Sequence, residues 1–334
     1  MAAKKLLAKK KQDPFALIMP LLEDGEITEI MIDGTQRITV EKRGKIEDTG
    51  LRFKSDDEVK AIIRETLKMA GTDMEEGQTL YDVRLGDNSR MMAILSPTSI
   101  HGHNVTFRKW MKTPITWEQL LEYNAISSEG RDLIQRALEA HVSILVIGGT
   151  GSGKTTIVNR IAELIPSDER VVVVEQAHEL QFVHPRSIFL EAGATVAVEL
   201  SDLLTAGSKM RPDWLVVGEL NGAEALRAVQ LMGNGHNAIT TMHATSAENA
   251  LTRLEAMCLT ANLGLGLDEI RQAIVSALHL IAYQERLPDG RRKILQMVEL
   301  KGLEDGRYVL QPLMRFNTEA ETFEMMGAKP SWEK

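Results

Sequence analysis

Up to residue 110, short apolar runs are broken by polar positions and turn residues. Ile27 to Ile32, Ile38 to Lys42 and a segment near Leu51 predict strands, parted by turns at Asp33-Gly34 and Arg43-Gly44. Phe15 to Leu22 predicts a short helix. Asp56 to Gly71 sets Val59, Ile62, Ile63 and Leu67 on one helical face behind Ser55, an N-cap with Glu58 three residues on. Tyr81 to Leu85, Arg90 to Leu95 and Asn104 to Trp110 alternate as strands, with a hairpin turn at Gly86-Asp87-Asn88. Residues 14–112 therefore predict a small α+β domain. Residues 1–13 precede it as a basic, flexible N-terminus with Lys4, Lys5, Lys9, Lys10 and Lys11, either a solvated tail or a weak membrane-surface or partner contact.

The pattern then changes. Residues 113–127 read as a linker holding a helical turn or two, and Ser128 to Ala140 as a helix leading into the unbroken apolar run Val142 to Ile147. Strands at Arg170 to Glu175, Ile188 to Glu191, Trp214 to Gly218 and Asn237 to Met242 alternate with helices at Leu200 to Lys209, Gly222 to Met232, Ala247 to Leu259 and Asp268 to Leu278. Such alternation predicts an α/β domain built on a doubly wound parallel sheet. After His279 the period returns to two, with turns at Pro288-Asp289-Gly290 and Glu304-Asp305-Gly306, which predicts antiparallel strands added to that sheet. The second domain is set at residues 128–316, with 317–334 as a C-terminal tail.

Composition narrows the choices. A chain of 334 residues with 43% hydrophobic content suits two domains with cores. A net charge of −8 argues against broad nucleic-acid binding. The single cysteine, Cys258, excludes an intrachain disulfide and a Cys₄ zinc module, and lies in an apolar helical pattern. With no signal peptide or spanning apolar run in view, the expected setting is cytoplasmic.

The buried strand at Val142 to Ile147 runs into Gly148-Gly149-Thr150-Gly151-Ser152-Gly153-Lys154-Thr155-Thr156, which fits G-x-x-x-x-G-K-[ST]. Glycines let the backbone curl so that N–H groups face phosphate oxygens, and a helix N-terminus adds its positive dipole end. Lys154 is placed for the β/γ-phosphates and the Thr155 hydroxyl for Mg²⁺. This arrangement implies a nucleotide-binding protein. Arg211 to Glu219 is a second buried strand whose end offers Glu219 to polarise water, or to hold a water on Mg²⁺. Val171 to Glu179 ends in acids as well, leaving Glu175 or Glu179 to support metal or water, or to be solvated. Between His236 and His243 runs a strand that brings His243 to the same rim, where it could report phosphate state; no third ligand stands at metal spacing.

In this order, these motifs resemble the traffic ATPases of type II and type IV secretion and type IV pili, over roughly residues 14–316. Asp82 to Arg90, Val105 to Trp110, Met210 to Asp213 and Gly290 to Ile294 look most like the CpaF/TadA branch, which drives Flp/Tad pilus assembly. The resemblance implies a RecA-like P-loop ATPase domain behind the smaller N-terminal domain, with ATP and Mg²⁺ as cofactors. It also implies a hexameric ring working on an inner-membrane platform protein, peripheral to the membrane's cytosolic face. Arginines of the N-terminal domain complete such sites, and Arg90 and Arg108 match by motif. Three departures stand out: Glu175-Gln176 in place of Glu-Asp, Gly218-Glu219-Leu220-Asn221 in place of Gly-Glu-Val-Arg, and histidines one residue closer together, as in pilus-retraction ATPases. The implied activity is ATP-driven pilin polymerisation or protein export. A conjugation-type or DNA-translocating ATPase, and a nucleotide-gated scaffold with impaired hydrolysis, are the alternatives.

Overall fold

The computed structural model describes residues 13–42, 44–110, 114–193 and 198–333. The basic run of residues 1–12 and Arg43 lie outside them. The chain divides into two compact units, Met1–Thr113 and Pro114–Lys334.

In the first unit, α1 (Met19–Glu23) precedes β1 (Ile27–Asp33), β2 (Arg37–Lys42) and β3 (Lys45–Asp48). After α2 (Asp56–Met69) come β4 (Leu80–Arg84), β5 (Arg90–Ile94) and β6 (Asn104–Arg108). The strands form one sheet in the order β3-β2-β1-β6-β5-β4, every neighbouring pair antiparallel. Ser55 caps α2 as its spacing predicts, its hydroxyl accepting from the Glu58 N–H, a contact worth about 1 kcal/mol. Val59, Ile62, Ile63 and Leu67 then pack on Ile30, Ile32, Val105 and Phe107. The strand expected near Leu51 falls earlier, at β3. All four of its residues are exposed, so β3 carries no apolar alternation to mark it.

The second unit opens with α3 (Trp117–Glu122) and α4 (Ser128–Glu139). Then come β7 (Ile144–Gly148), α5 (Lys154–Glu163), β8 (Val171–Glu175), β9 (Ser187–Glu191), α6 (Leu200–Ser208) and β10 (Trp214–Val217). The chain continues through α7 (Glu224–Gly233), β11 (Asn237–His243), α8 (Ala247–Thr260), α9 (Leu267–Ala277), β12 (Leu280–Arg286), β13 (Arg292–Glu304), β14 (Arg307–Asn317) and β15 (Thr322–Met325). One sheet takes them in the order β15-β14-β13-β12-β7-β11-β10-β8-β9. From β12 to β9 neighbours are parallel; β13, β14 and β15 add antiparallel. Alternate residues of the central strands feed two cores. Leu145, Val172 and Leu215 face a layer with Leu204, Val229 and Leu251, and Ile144, Val173 and Val216 face one with Trp117, Leu133 and Ile161. Apolar on both faces, these strands read as unbroken hydrophobic runs.

This is the expected α/β class, with a P-loop domain after a smaller α+β unit. Two local readings change. The linker region contains α3, capped by Thr116 and Gln119 and packed into the second core through Trp117. Residues after 316 form β15 and then a strap in which Ser331 donates to buried Glu299 and Glu333 meets Arg136 at 2.6 Å. Polar spacing in 317–321 hides the short strand behind a turn.

Candidate functional site

At the carboxyl end of β7 the backbone turns through the glycine-rich loop into α5, where Gly153 is the N-cap in the left-handed region at φ 96°. Gly151 is left-handed too, at φ 70°, a conformation glycine adopts without steric cost. A Cβ on Gly148 would overlap the Gln284 carbonyl oxygen and lie 2.5 Å from Ser152 Oγ. Ser152 Oγ is buried without a hydrogen-bond partner. A tight cradle at a helix N-terminus, with a buried lysine and an orphaned hydroxyl, fits a bound phosphate chain. Lys154 and Thr155 would hold the nucleotide and its Mg²⁺; the metal would supply charge neutralisation.

Lys154 is 7% exposed. Its Nζ lies 3.2 Å from each of the carbonyl oxygens of Gly148 and Gly149, and 3.2 Å from His243 Nδ1. His243, the last residue of β11, sits beside Gly148 in the strand register. On the other side of its ring, Nε2 is 3.1 Å from Glu219 Oε1. An ammonium can only donate, so Nδ1 is the accepting nitrogen in the contact with Lys154. Lys154, His243 and Glu219 form one chain of close polar contacts along the rim of the sheet. The loop bearing Glu219 is fixed: Thr241 Oγ1 donates to the Gly218 carbonyl at 2.7 Å, and the Asn221 and Gly222 amides donate to Glu224 Oε1 at 2.7 and 2.8 Å.

Glu175 is 2% exposed and turned to local structure. Its Oε1 accepts from the amides of Glu179 and Leu180, each at 2.9 Å, and its Oε2 lies 3.0 Å from His178 Nδ1. It shapes the loop that carries Glu179. Gly218 comes so near that a Cβ there would sit 3.1 Å from Glu175 Cγ, which brings the ends of β8 and β10 together beneath Glu219. His236 meets the Leu231 carbonyl at 3.1 Å, at the end of α7, a structural cap.

Arg90 and Arg108 lie in the first unit, on β5 and β6, and face each other in register. Arg84 faces Arg90 from β4, so three arginines stand in one row across the sheet. Asp82 meets Arg90 at 2.9 Å, and Glu29 lies 4.0 Å from Arg108 Nε. Like charges on facing positions cost stability, which these carboxylates offset in part. Arg84 was not singled out from the sequence; the strand register that groups it with the others is a tertiary property.

The β12–β13 hairpin, expected from the turn at Pro288-Asp289-Gly290, brings to the loop two arginines that the sequence did not single out. Arg292 Nε donates to the Gly151 carbonyl at 2.8 Å, and Arg286 Nη1 is 3.8 Å from where a Gly151 Cβ would be. Both residues come from more than a hundred positions downstream of the loop, and no local spacing links them. Among the described residues no His/Cys/Asp/Glu cluster could by itself hold a metal ion, and no helix is long and apolar enough to cross a membrane.

With this geometry in view, the likenesses to known proteins follow. A family described as "Type II/IV secretion system protein" matches residues 11–302. The chain is 27% identical over 308 residues to the conjugal transfer protein TrbB of Rhizobium radiobacter, covering 90% of this chain and 93% of that protein. It is 35% identical over 183 residues to the type IV secretion system protein PtlH of Bordetella pertussis, covering 52% and 54%. Among solved structures, the Legionella pneumophila ATPase DotB is similar at a TM-score of 0.60 and 21% identity, covering 87% of this chain and 81% of that one. The pilus retraction motor PilT with bound ADP is similar at 0.57 and 18%, covering 90% and 83%. At those identities the two structures speak for the fold alone.

Proposed function

The chain belongs to the type II/IV secretion system protein family, and from that premise we propose that it is a motor that hydrolyses Mg·ATP to drive export. The observation that carries the proposal is the chain from Lys154 through His243 to Glu219 at the mouth of the glycine cradle. In this reading the loop amides and Lys154 would hold the triphosphate, Thr155 would hold Mg²⁺, which would supply charge neutralisation, and Glu219 would orient the attacking water. His243 touches both the phosphate-binding lysine and the water-orienting carboxylate, and so links their positions. The row of Arg84, Arg90 and Arg108 is suited to developing phosphate charge, because guanidinium groups bridge oxygens bidentately.

The work is protein export or pilin polymerisation at the cytosolic face of the inner membrane, performed by a hexameric homo-oligomer on a membrane platform protein. The conjugal transfer relative, aligned over nearly the whole of both chains, favours a conjugation-type or type IV secretion machine over the Flp/Tad pilus. A net charge of −8 favours a motor that acts on protein over one that grips the DNA backbone. Gln176 and Asn221, each replacing a charged residue of the family pattern, motivate a nucleotide-gated scaffold as second reading.

Two variants test the proposal. Lys154→Ala is expected to lose nucleotide binding and turnover together, and Glu219→Gln to bind Mg·ATP with wild-type affinity while losing turnover. Tight binding by the wild type without phosphate release would select the scaffold. Undiminished turnover in Lys154→Ala would remove the nucleotide site from this loop.

A further inference from the structure

Gly290 to Ile294 places three cations in succession, and the fold sends each to a different place. Arg291 turns to the far side of its hairpin. Its Nε and backbone N–H hold the two Asp289 oxygens at 2.6 and 2.9 Å, and its Nη2 reaches Glu321 Oε1 at 2.6 Å. Lys293 is fully buried; its Nζ donates to the Asn124 carbonyl at 2.6 Å and lies over the Phe316 ring. The Ile294 amide donates to the Ala125 carbonyl at 2.8 Å, and the Leu287 amide to the Arg291 carbonyl at 2.7 Å. Between these anchors, Arg292 is presented from a rigid mount to the phosphate loop.

We infer that the β12–β13 hairpin splints the phosphate loop, with Arg292 as the positioning residue that fixes the Gly151–Ser152 peptide. The trans peptide places C=O and N–H on opposite sides. Holding the Gly151 oxygen on Arg292 Nε therefore holds the Ser152 N–H on the inner side, where it donates to the Gly149 carbonyl at 3.3 Å, beside Lys154 Nζ. Without the splint, the peptide can rotate about the ψ of left-handed Gly151, which has no Cβ to restrict it, leaving Ser152 φ as the remaining restraint. A flip would turn a carbonyl into the space where an anion needs N–H groups. Gln284 closes the other side: its Nε2 and Arg292 Cδ each lie 3.1 Å from where a Gly153 Cβ would be. In its effect on ATP, though not in its geometry, this inference rests on the nucleotide reading of the loop.

Side-chain length separates a splint from a simple cation. Glutamine places its Nε2 at the same number of bonds from the backbone as arginine's Nε, without charge; lysine keeps the charge but carries its nitrogen one bond further out. Hydrogen exchange of the peptide spanning residues 149–154, in the full chain without nucleotide, is compared for wild type, Arg292→Ala, Arg292→Gln and Arg292→Lys. Mg·ATP affinity and melting temperature are measured on the same proteins. Loop exchange and the Kd for Mg·ATP are expected to rise about five- to tenfold in the Ala and Lys variants, and to be restored by Gln, with one melting temperature throughout. Restoration by Lys and not by Gln would overturn the splint in favour of a direct charge contact. Unchanged loop exchange in Arg292→Ala would overturn it outright. Should the wild type bind no nucleotide, the proposed function falls while the exchange comparison still decides the splint.

Discussion

Lys154, His243 and Glu219 show how much one side chain's protonation pattern can organise. Because Lys154 only donates, His243 accepts through Nδ1 and turns Nε2 to Glu219 at 3.1 Å. The Glu219 carboxylate is thereby registered to Lys154 through the His243 ring. Replacing Glu219 by Gln keeps the side chain's size but removes the charge that, in the proposed function, would polarise water. Turnover is expected to fall about a hundredfold or more, with nucleotide affinity unchanged, as read by phosphate release beside equilibrium binding. A second histidine sets a pH response. His279 has a buried Nδ1 without a partner, and burial holds its pKa below the ordinary value, with Glu299 opposing. The unfolded chain therefore binds this proton more readily than the folded one. This contribution to stability is complete above the unfolded histidine pKa, about 6.5, and is lost as pH falls from there through the lowered folded value. The melting temperature should drop over that window in the wild type and drop less in His279→Gln; equal slopes would show that another group governs it.

At the scale of elements, strand and helix placement in the second unit followed from sequence with few changes. The reason is physical: β7, β8 and β10 are buried on both faces and so are written as apolar runs. The elements that escaped notice carry little apolar pattern. β3 is exposed throughout and β15 is four residues long. The run Arg291-Arg292-Lys293 shows the limit more sharply, since three adjacent cations go to three settings: Arg291 to exposed ion pairs, Arg292 to the Gly151 carbonyl and Lys293 to the interior. Lys293 anchors the hairpin to the α3–α4 turn through one part-buried hydrogen bond. Lys293→Met should therefore cost about 1–3 kcal/mol by leaving the Asn124 carbonyl unsatisfied, seen as a lower denaturant midpoint with unchanged slope. A midpoint equal to wild type would mean that the anchor contributes nothing.

For the whole molecule, the legible part of the site was what one segment can hold: the glycine loop with its lysine and threonine, and the strand ends at Glu219 and His243. What stayed hidden depends on strands far apart in the chain meeting in register. The row of Arg84, Arg90 and Arg108 needs the β4-β5-β6 pairing, and the contact of Arg292 with Gly151 needs β12 beside β7. Glu175 carried the right residue type at a strand end, yet its oxygens are turned to the loop amides and His178. If the arginine row serves phosphate charge, Arg90→Ala and Arg108→Ala should each lower kcat at least tenfold without moving the melting temperature. Unchanged kcat in both would confine the row to a structural role.

Phosphate release from purified protein with Mg·ATP, beside Lys154→Ala and across a range of protein concentration, tests the central claim most directly. The account predicts turnover that is absent in the variant and that rises per subunit as the protein assembles. Turnover that persists in Lys154→Ala, or tight binding with no phosphate released by the wild type, would contradict it.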